Sequence, residues 1–226
     1  MHISCDLTKT KFNLKYFPAY GKAESIRCIL AHIGAKWEDT SISMSEWPEI
    51  KPKTPGGCLP VLEVFLNGDE TEPSMVLMES EAIFAMLALK SKLYAVECPY
   101  LHYQLKMVMG ICNDIGKCRV DLFHAKDEDK AELEKKIREN LLPTLLKKLT
   151  KVLEDNKEGE GKYFVQKSIT AADLFAVATI VRVKLNDEDI LNKEAPKLVE
   201  YFENILKESP NLKAYLDSRP PFQYKL

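Results

Sequence analysis

The residues best suited to chemistry cluster in the first third of the chain. Tyr16 closes a short run in which Phe12, Leu14 and Tyr16 alternate with Asn13 and Lys15, the period of a strand. A phenol at the carboxyl end of a strand stands where ligands gather in α/β sheets, and it can donate a hydrogen bond to an anion. Trp47 and Lys51 lie four apart, so on one helical turn they share a side and offer an indole N–H and an ammonium to a carboxylate. Glu79 and Ser80 precede an apolar helical pattern. A hydroxyl and the first free N–H groups of a helix can receive an anion, and the neighbouring carboxylate can pair with an amino group. Each feature also has a plainer reading: a tyrosine closing the core, a buried tryptophan beside a solvated lysine, an ordinary helix cap.

These positions need a scaffold, and the apolar pattern supplies one. Beyond Pro18, Ala23, Ile26, Leu30 and Ile33 recur at three- and four-residue spacing before Gly34, which predicts an amphipathic helix with a left-handed glycine stop. Trp37–Ile42 reads as a second strand. Leu59–Phe65 and Ser74–Met78 are apolar runs joined through Asn67-Gly68-Asp69, turn chemistry for an antiparallel pair, and Ser80–Leu89 reads as a helix. The order strand, helix, strand, loop, strand, strand, helix predicts a small layered α/β domain, assigned to residues 10–92.

From Pro99 the character changes. Amphipathic stretches at Leu101–Phe123, Lys130–Leu153, Ala171–Val183 and Pro196–Leu206 predict an all-α domain over residues 98–226. Pro143 is expected to bend the stretch that contains it, and the polar run Asn156–Lys162 to form a loop. Thr170 and Asp173 make a capping-box pattern in front of the apolar run Leu174–Val181.

Composition narrows the function classes. The 226 residues are 46% hydrophobic, with 32 basic against 34 acidic side chains and a formal charge of -2, without the basic excess of nucleic-acid or anionic-membrane binders. The N-terminus has no apolar signal core, and no stretch approaches the roughly 18 apolar residues of a membrane helix; a cytosolic location is expected, with neither nucleic acid nor membrane as a partner. Six scattered cysteines show no CxxC and no zinc-like pairing with the four histidines, so free, mostly buried thiols and no metal site are expected.

The segment Tyr16-Phe17-Pro18-Ala19-Tyr20-Gly21-Lys22-Ala23-Glu24-Ser25-Ile26-Arg27 resembles the first strand-to-helix turn of tyrosine-type glutathione transferases, the sigma class in particular. The blocks Glu46–Pro52, Pro55–Val64 and Glu79–Ile83 match the family's remaining glutathione-site blocks in order and spacing. The resemblance implies a thioredoxin-like α/β N-terminal domain, an all-α helical C-terminal domain, a homodimer, and glutathione as co-substrate.

By the same resemblance Tyr16 is the catalytic residue, and Lys22, Trp47, Lys51, Gly57, Cys58, Leu59, Pro60, Glu79 and Ser80 hold glutathione. Pro60 would be a cis proline that exposes the Leu59 backbone to the cysteinyl part of the tripeptide, and Asp114 would be lent to the partner subunit's site. A hydrogen bond from Tyr16 to the sulfur would lower the thiol pKa from about 8.5 and leave it substantially ionised near neutral pH. The sequence departs from the pattern at Cys58, where Gln or Lys is commoner, at Glu79, usually Gln, at Lys22, usually Arg, and at Ala85-Met86, often Arg-Tyr. Asn113, Gly116 and Lys117 stand where some sigma members carry an acidic cluster, so metal stimulation is not expected.

The resemblance therefore implies an enzyme conjugating glutathione to hydrophobic electrophiles, with peroxide reduction or prostanoid isomerisation as further activities. A non-catalytic, crystallin-like relative is the alternative, and retention of Tyr16, Trp47, Lys51 and Ser80 favours the enzyme. An omega-type thiol transferase would want a cysteine near Pro18, and none lies between Tyr16 and Arg27. The acceptor pocket is expected beside Phe17 and the first long helix of the second domain, with Phe222 in reach.

Overall fold

The computed structural model describes residues 9–66, 71–94 and 98–222. The chain divides into two compact units. Among the described residues the first runs through Lys92 and also takes in Asn211 to Phe222; the second spans Leu93 to Pro210. The segment after Pro210, which the sequence pattern grouped with the helical half, is therefore part of the first unit. Its anchor is a set of long-range polar contacts described below, which no local apolar period could register.

In the first unit, β1 (Lys11–Tyr16) leads through a 3-10 turn at Gly21–Ala23 into α1 (Glu24–His32), followed by β2 (Lys36–Ser41) and the single-turn α2 (Trp47–Ile50). Then come β3 (Val61–Phe65), β4 (Met75–Met78) and α3 (Ser80–Lys90). Among the described residues the sheet has four strands in the order β2-β1-β3-β4, with β1 parallel to β2 and the other pairs antiparallel. Phe12, Leu14 and Tyr16 are the buried face of β1, as the alternation predicts. Gly34 follows α1 with φ +64, and the Ala35 N–H reaches back to the Leu30 carbonyl, the left-handed helix stop expected of it. The turn read at Asn67-Gly68-Asp69 lies outside the described residues.

The second unit is helical: α4 (Pro99–His124), α5 (Asp127–Lys136), a π-helical segment at Ile137–Leu141, α6 (Leu142–Asp155), α7 (Ala171–Glu194) and α8 (Pro196–Glu208). Pro143 sits in the first turn of α6, where its missing N–H does no harm, and the π segment just ahead of it takes up the bend. The Thr170–Asp173 capping box is formed at the start of α7. The Asp173 carboxylate, fully buried, accepts from the backbone N–H groups of Phe164 and Thr170 and from the hydroxyls of Thr170 and Tyr201.

Helix α7 runs past the Val183 expected for its end. It kinks at Asp187 (φ -143, ψ 40), whose carboxylate is gripped by Arg119 from α4 and Arg138 from the π segment. α9 (Pro210–Ser218) closes the described helices.

Candidate functional site

The strand register gathers the sequence-derived residues at one end of the sheet. Tyr16 pairs with Ser41, Lys15 with Val61, and Val61 with Met78. Tyr16 ends β1, Pro60 stands one residue before β3 and Glu79 one residue after β4, so all three lie at the same edge of the sheet, and the chain beyond β2 runs on from that edge to Trp47.

Tyr16 is nearly buried at 8% exposure. Its hydroxyl oxygen accepts the Lys22 backbone N–H at 3.2 Å, and an accepted hydrogen bond polarises the O–H and sharpens it as a donor. Lys22 thus touches the phenol through its main chain, while its side chain is exposed. Gly21 makes the approach feasible: it holds φ +41, and a Cβ there would lie 2.6 Å from the Tyr16 oxygen. The Phe17 ring bridges outward, 5.7 Å from the Tyr16 ring and edge-on to Trp47 at 5.4 Å.

Trp47 opens α2, and the helix start is set by a reciprocal pair that sequence reading missed. The Ser43 N–H and hydroxyl donate to the Glu46 carboxylate, and the Glu46 N–H donates to the Ser43 oxygen. The signal was present as Ser-x-x-Glu. Lys51 follows in a 3-10 turn with its ammonium end in solvent, its alkyl stem lying 3.6 Å from where a Gly57 Cβ would be.

Gly56 and Gly57 both take positive φ, and Gly56 has no room for a side chain beside the Met78 sulfur. The Cys58 thiol is half-buried and approaches the Pro55 carbonyl at 3.6 Å. Leu59–Pro60 is a cis peptide bond, as the resemblance implied. Elsewhere Cys28, Cys112 and Cys118 are buried; burial pushes the Cys112 thiol up to about 12 and raises that of Cys118, which keeps these two protonated at neutral pH.

α3 begins at Ser80, as the sequence pattern predicts. Glu79 occupies the capping position and Ser80 is the first helical residue; the Ile83 N–H bonds to the Glu79 carbonyl, and no side chain caps the turn. Glu79 adopts φ 68, strained for a residue with a side chain, a cost of about 1–3 kcal/mol characteristic of ligand-holding positions. α3 thus starts from the sheet edge at which Tyr16 and Pro60 stand. Asp114 lies in the second unit, exposed on α4.

One cluster went unread in the sequence. Arg27 and Glu24 are fully buried on α1. The Arg27 guanidinium bonds to Asp39 at 2.8 Å, to Glu24 at 3.2 Å and to the carbonyls of Ala19 and Tyr20. Burial alone would lower its pKa, but Asp39, Glu24 and Tyr215 outweigh that and raise it. Arg27 thus ties down the turn immediately after Tyr16.

Known proteins share this architecture. The family model described as "Glutathione S-transferase, C-terminal domain" matches residues 113–219. The class-mu 28 kDa glutathione S-transferase isozyme of Schistosoma mansoni is 33% identical over 205 residues, covering 91% of this chain and 94% of that protein. Hematopoietic prostaglandin D synthase of Gallus gallus is 29% identical, covering 92% and 96%. The solved structure of a Fasciola hepatica sigma class GST matches with a TM-score of 0.82 at 32% identity, over 94% of this chain and 98% of its own. With identity at this level along nearly the whole length of both chains, and the same two-part architecture, the chain belongs to the glutathione S-transferase family.

Proposed function

We propose that the protein conjugates glutathione to hydrophobic electrophiles and that Tyr16 activates the thiol. The observation that carries this reading is the phenol at the end of β1, its oxygen held by the Lys22 N–H and its ring joined through Phe17 to Trp47. With its cysteinyl part along the Leu59 backbone, glutathione would present its sulfur to the Tyr16 hydroxyl, and a hydrogen bond donated to the thiolate favours ionisation. Trp47 and Lys51 hold the glycyl carboxylate, the first N–H groups and Ser80 hydroxyl of α3 hold the γ-glutamyl carboxylate, and Glu79 pairs with the amino group. Gly57 and Cys58 contribute main chain and little bulk. The thiolate then attacks the electrophile, and the new carbon–sulfur bond forms as the leaving group departs with its electron pair.

The functional unit is a cytosolic homodimer in which Asp114 reaches the partner subunit's glutathione. Exposed apolar side chains on β4 and, separately, on α4 support a protein-covered surface. Conjugation of a generic aryl halide, measured beside prostaglandin isomerisation, tests the reading. Turnover of the halide with glutathione is expected; a protein that binds glutathione and turns over neither substrate is a carrier instead.

A further inference from the structure

The chain beyond α9 returns to the turn behind Tyr16. The Arg219 guanidinium donates to Glu24 at 2.6 Å, bridging 195 positions of sequence, and the Tyr215 hydroxyl donates to the same carboxylate at 3.1 Å. Arg219 also lies over the Tyr20 ring at 4.4 Å, and the Phe222 ring covers the Arg27 guanidinium at 4.6 Å while meeting Tyr20 edge-on at 4.9 Å. Every residue named here belongs to the first unit.

The charges decide what this arrangement does. Two carboxylates, Glu24 and Asp39, face two guanidiniums, Arg27 and Arg219. Glu24 and Arg27 are fully buried and Arg219 is 8% exposed, so the balance matters more than it would in water. Tyr16, Tyr20, Cys28 and Tyr215 are the other titratable groups facing the cluster. Burial, then Glu24 and Cys28, push the Tyr215 phenol up, which keeps it neutral and a donor. Arg27 in turn lies 5.9 Å from the Tyr16 ring centroid and bonds to the Ala19 and Tyr20 carbonyls of the turn.

We propose that Arg219, backed by Phe222, is a positioning residue for the thiol chemistry: it neutralises Glu24 from the far end of the chain, which leaves Arg27 to fix the turn behind Tyr16 and to keep its positive field beside the phenol. Without Arg219 the cluster carries a net negative charge. Glu24 then draws Arg27 away from the two turn carbonyls, and the uncompensated charge opposes ionisation of the neighbouring sulfur. The proposal rests on Tyr16 as the activating group, and its test separates the two.

The thiolate absorbance of bound glutathione is titrated in the wild type and in Tyr16→Phe, Arg219→Gln, Arg219→Lys and Phe222→Ala. Arg219→Gln should raise the thiol pKa by about 0.5 to 1 unit, the size expected for one charge lost from a partly buried cluster, with the glutathione KM within about twofold of wild type. Arg219→Lys, which keeps the charge, should return the titration to the wild-type midpoint, and Phe222→Ala should move it in the same direction as Arg219→Gln. Damage that was merely structural would lower the active fraction and leave the midpoint in place. If Tyr16→Phe shifts the midpoint and Arg219→Gln does not, the positioning role is wrong while the Tyr16 reading stands. If Tyr16→Phe itself leaves the midpoint unchanged, the Tyr16 reading fails and this role with it. Should Arg219→Gln not fold, an unshifted midpoint in Phe222→Ala overturns the proposal.

Discussion

The Tyr16 oxygen is oriented by the Lys22 N–H, so removing that one oxygen isolates its chemistry. Tyr16→Phe keeps the ring and its packing, and the protein should fold. A hydrogen bond to a charged group is worth roughly 1.5–3 kcal/mol, and a pKa unit corresponds to about 1.4, so the bound thiol pKa should rise by roughly one to two units. Conjugation at neutral pH should fall by roughly ten- to a hundredfold with glutathione affinity changed far less, and a spectroscopic titration beside steady-state kinetics checks both. Lys51 makes the contrasting case. Its side chain is exposed, on a stem lying along Gly57; in the proposed role it would hold the glycyl end equally in ground and transition states, so Lys51→Ala should raise the glutathione KM with little change in kcat. A large fall in kcat at unchanged KM would remove Lys51 from that role.

Between β1 and α1 the turn works because Gly21 has no Cβ. Alanine there would meet the phenol oxygen at 2.6 Å and at φ +41, so Gly21→Ala should cost about tenfold in kcat/KM by displacing the hydroxyl, and almost nothing further in a Tyr16→Phe background. At the start of α7 burial pushes the Asp173 carboxyl up to about 6, outweighing the donors from Phe164, Thr170 and Tyr201 that pull it down. The folded pKa lies above the unfolded value of about 3.9, so the folded state binds more protons between them. Stability from this group is full below about pH 4 and is lost as pH rises through about 6. Relative to Asp173→Asn, which cannot titrate, the wild type should therefore lose up to about 3 kcal/mol across that window, read from urea midpoints at fixed protein concentration. The capping box was legible because its partners are three apart, and β1, α1 and α4 because their periods are local. The π segment before Pro143, the Asp187 kink and α9 were not. An i→i+5 hydrogen bond leaves no apolar period, the kink is held by arginines 68 and 49 positions away, and α9 buries a single leucine and is anchored through Glu24. Tyr16, Trp47, Lys51 and Ser80 were readable as chemistry, whereas Gly21 and Arg27 became informative only once the turn's geometry showed what each allows.

Assembly is where the proposed site would be completed. Among the described residues β4 is an edge strand of the first unit, its Val76 and Met78 each 43% exposed, and in the second unit Tyr100 and Tyr103 stack at 6.2 Å on α4 with 65% and 58% exposure. An unpaired apolar edge invites association, and large exposed aromatic patches mark protein-covered surface. Sedimentation should find a dimer at micromolar concentration, and Val76→Lys, which places a charge on the exposed face of β4, should shift it to monomer. Asp114, exposed on α4, makes the consequence measurable. If it reaches the partner subunit's glutathione, Asp114→Asn should weaken glutathione binding severalfold in the dimeric protein and have no effect in the Val76→Lys monomer, which already lacks that contact. Equal losses in both backgrounds would place Asp114 within its own subunit's site, and a wild type that sediments as a monomer would remove the shared site altogether.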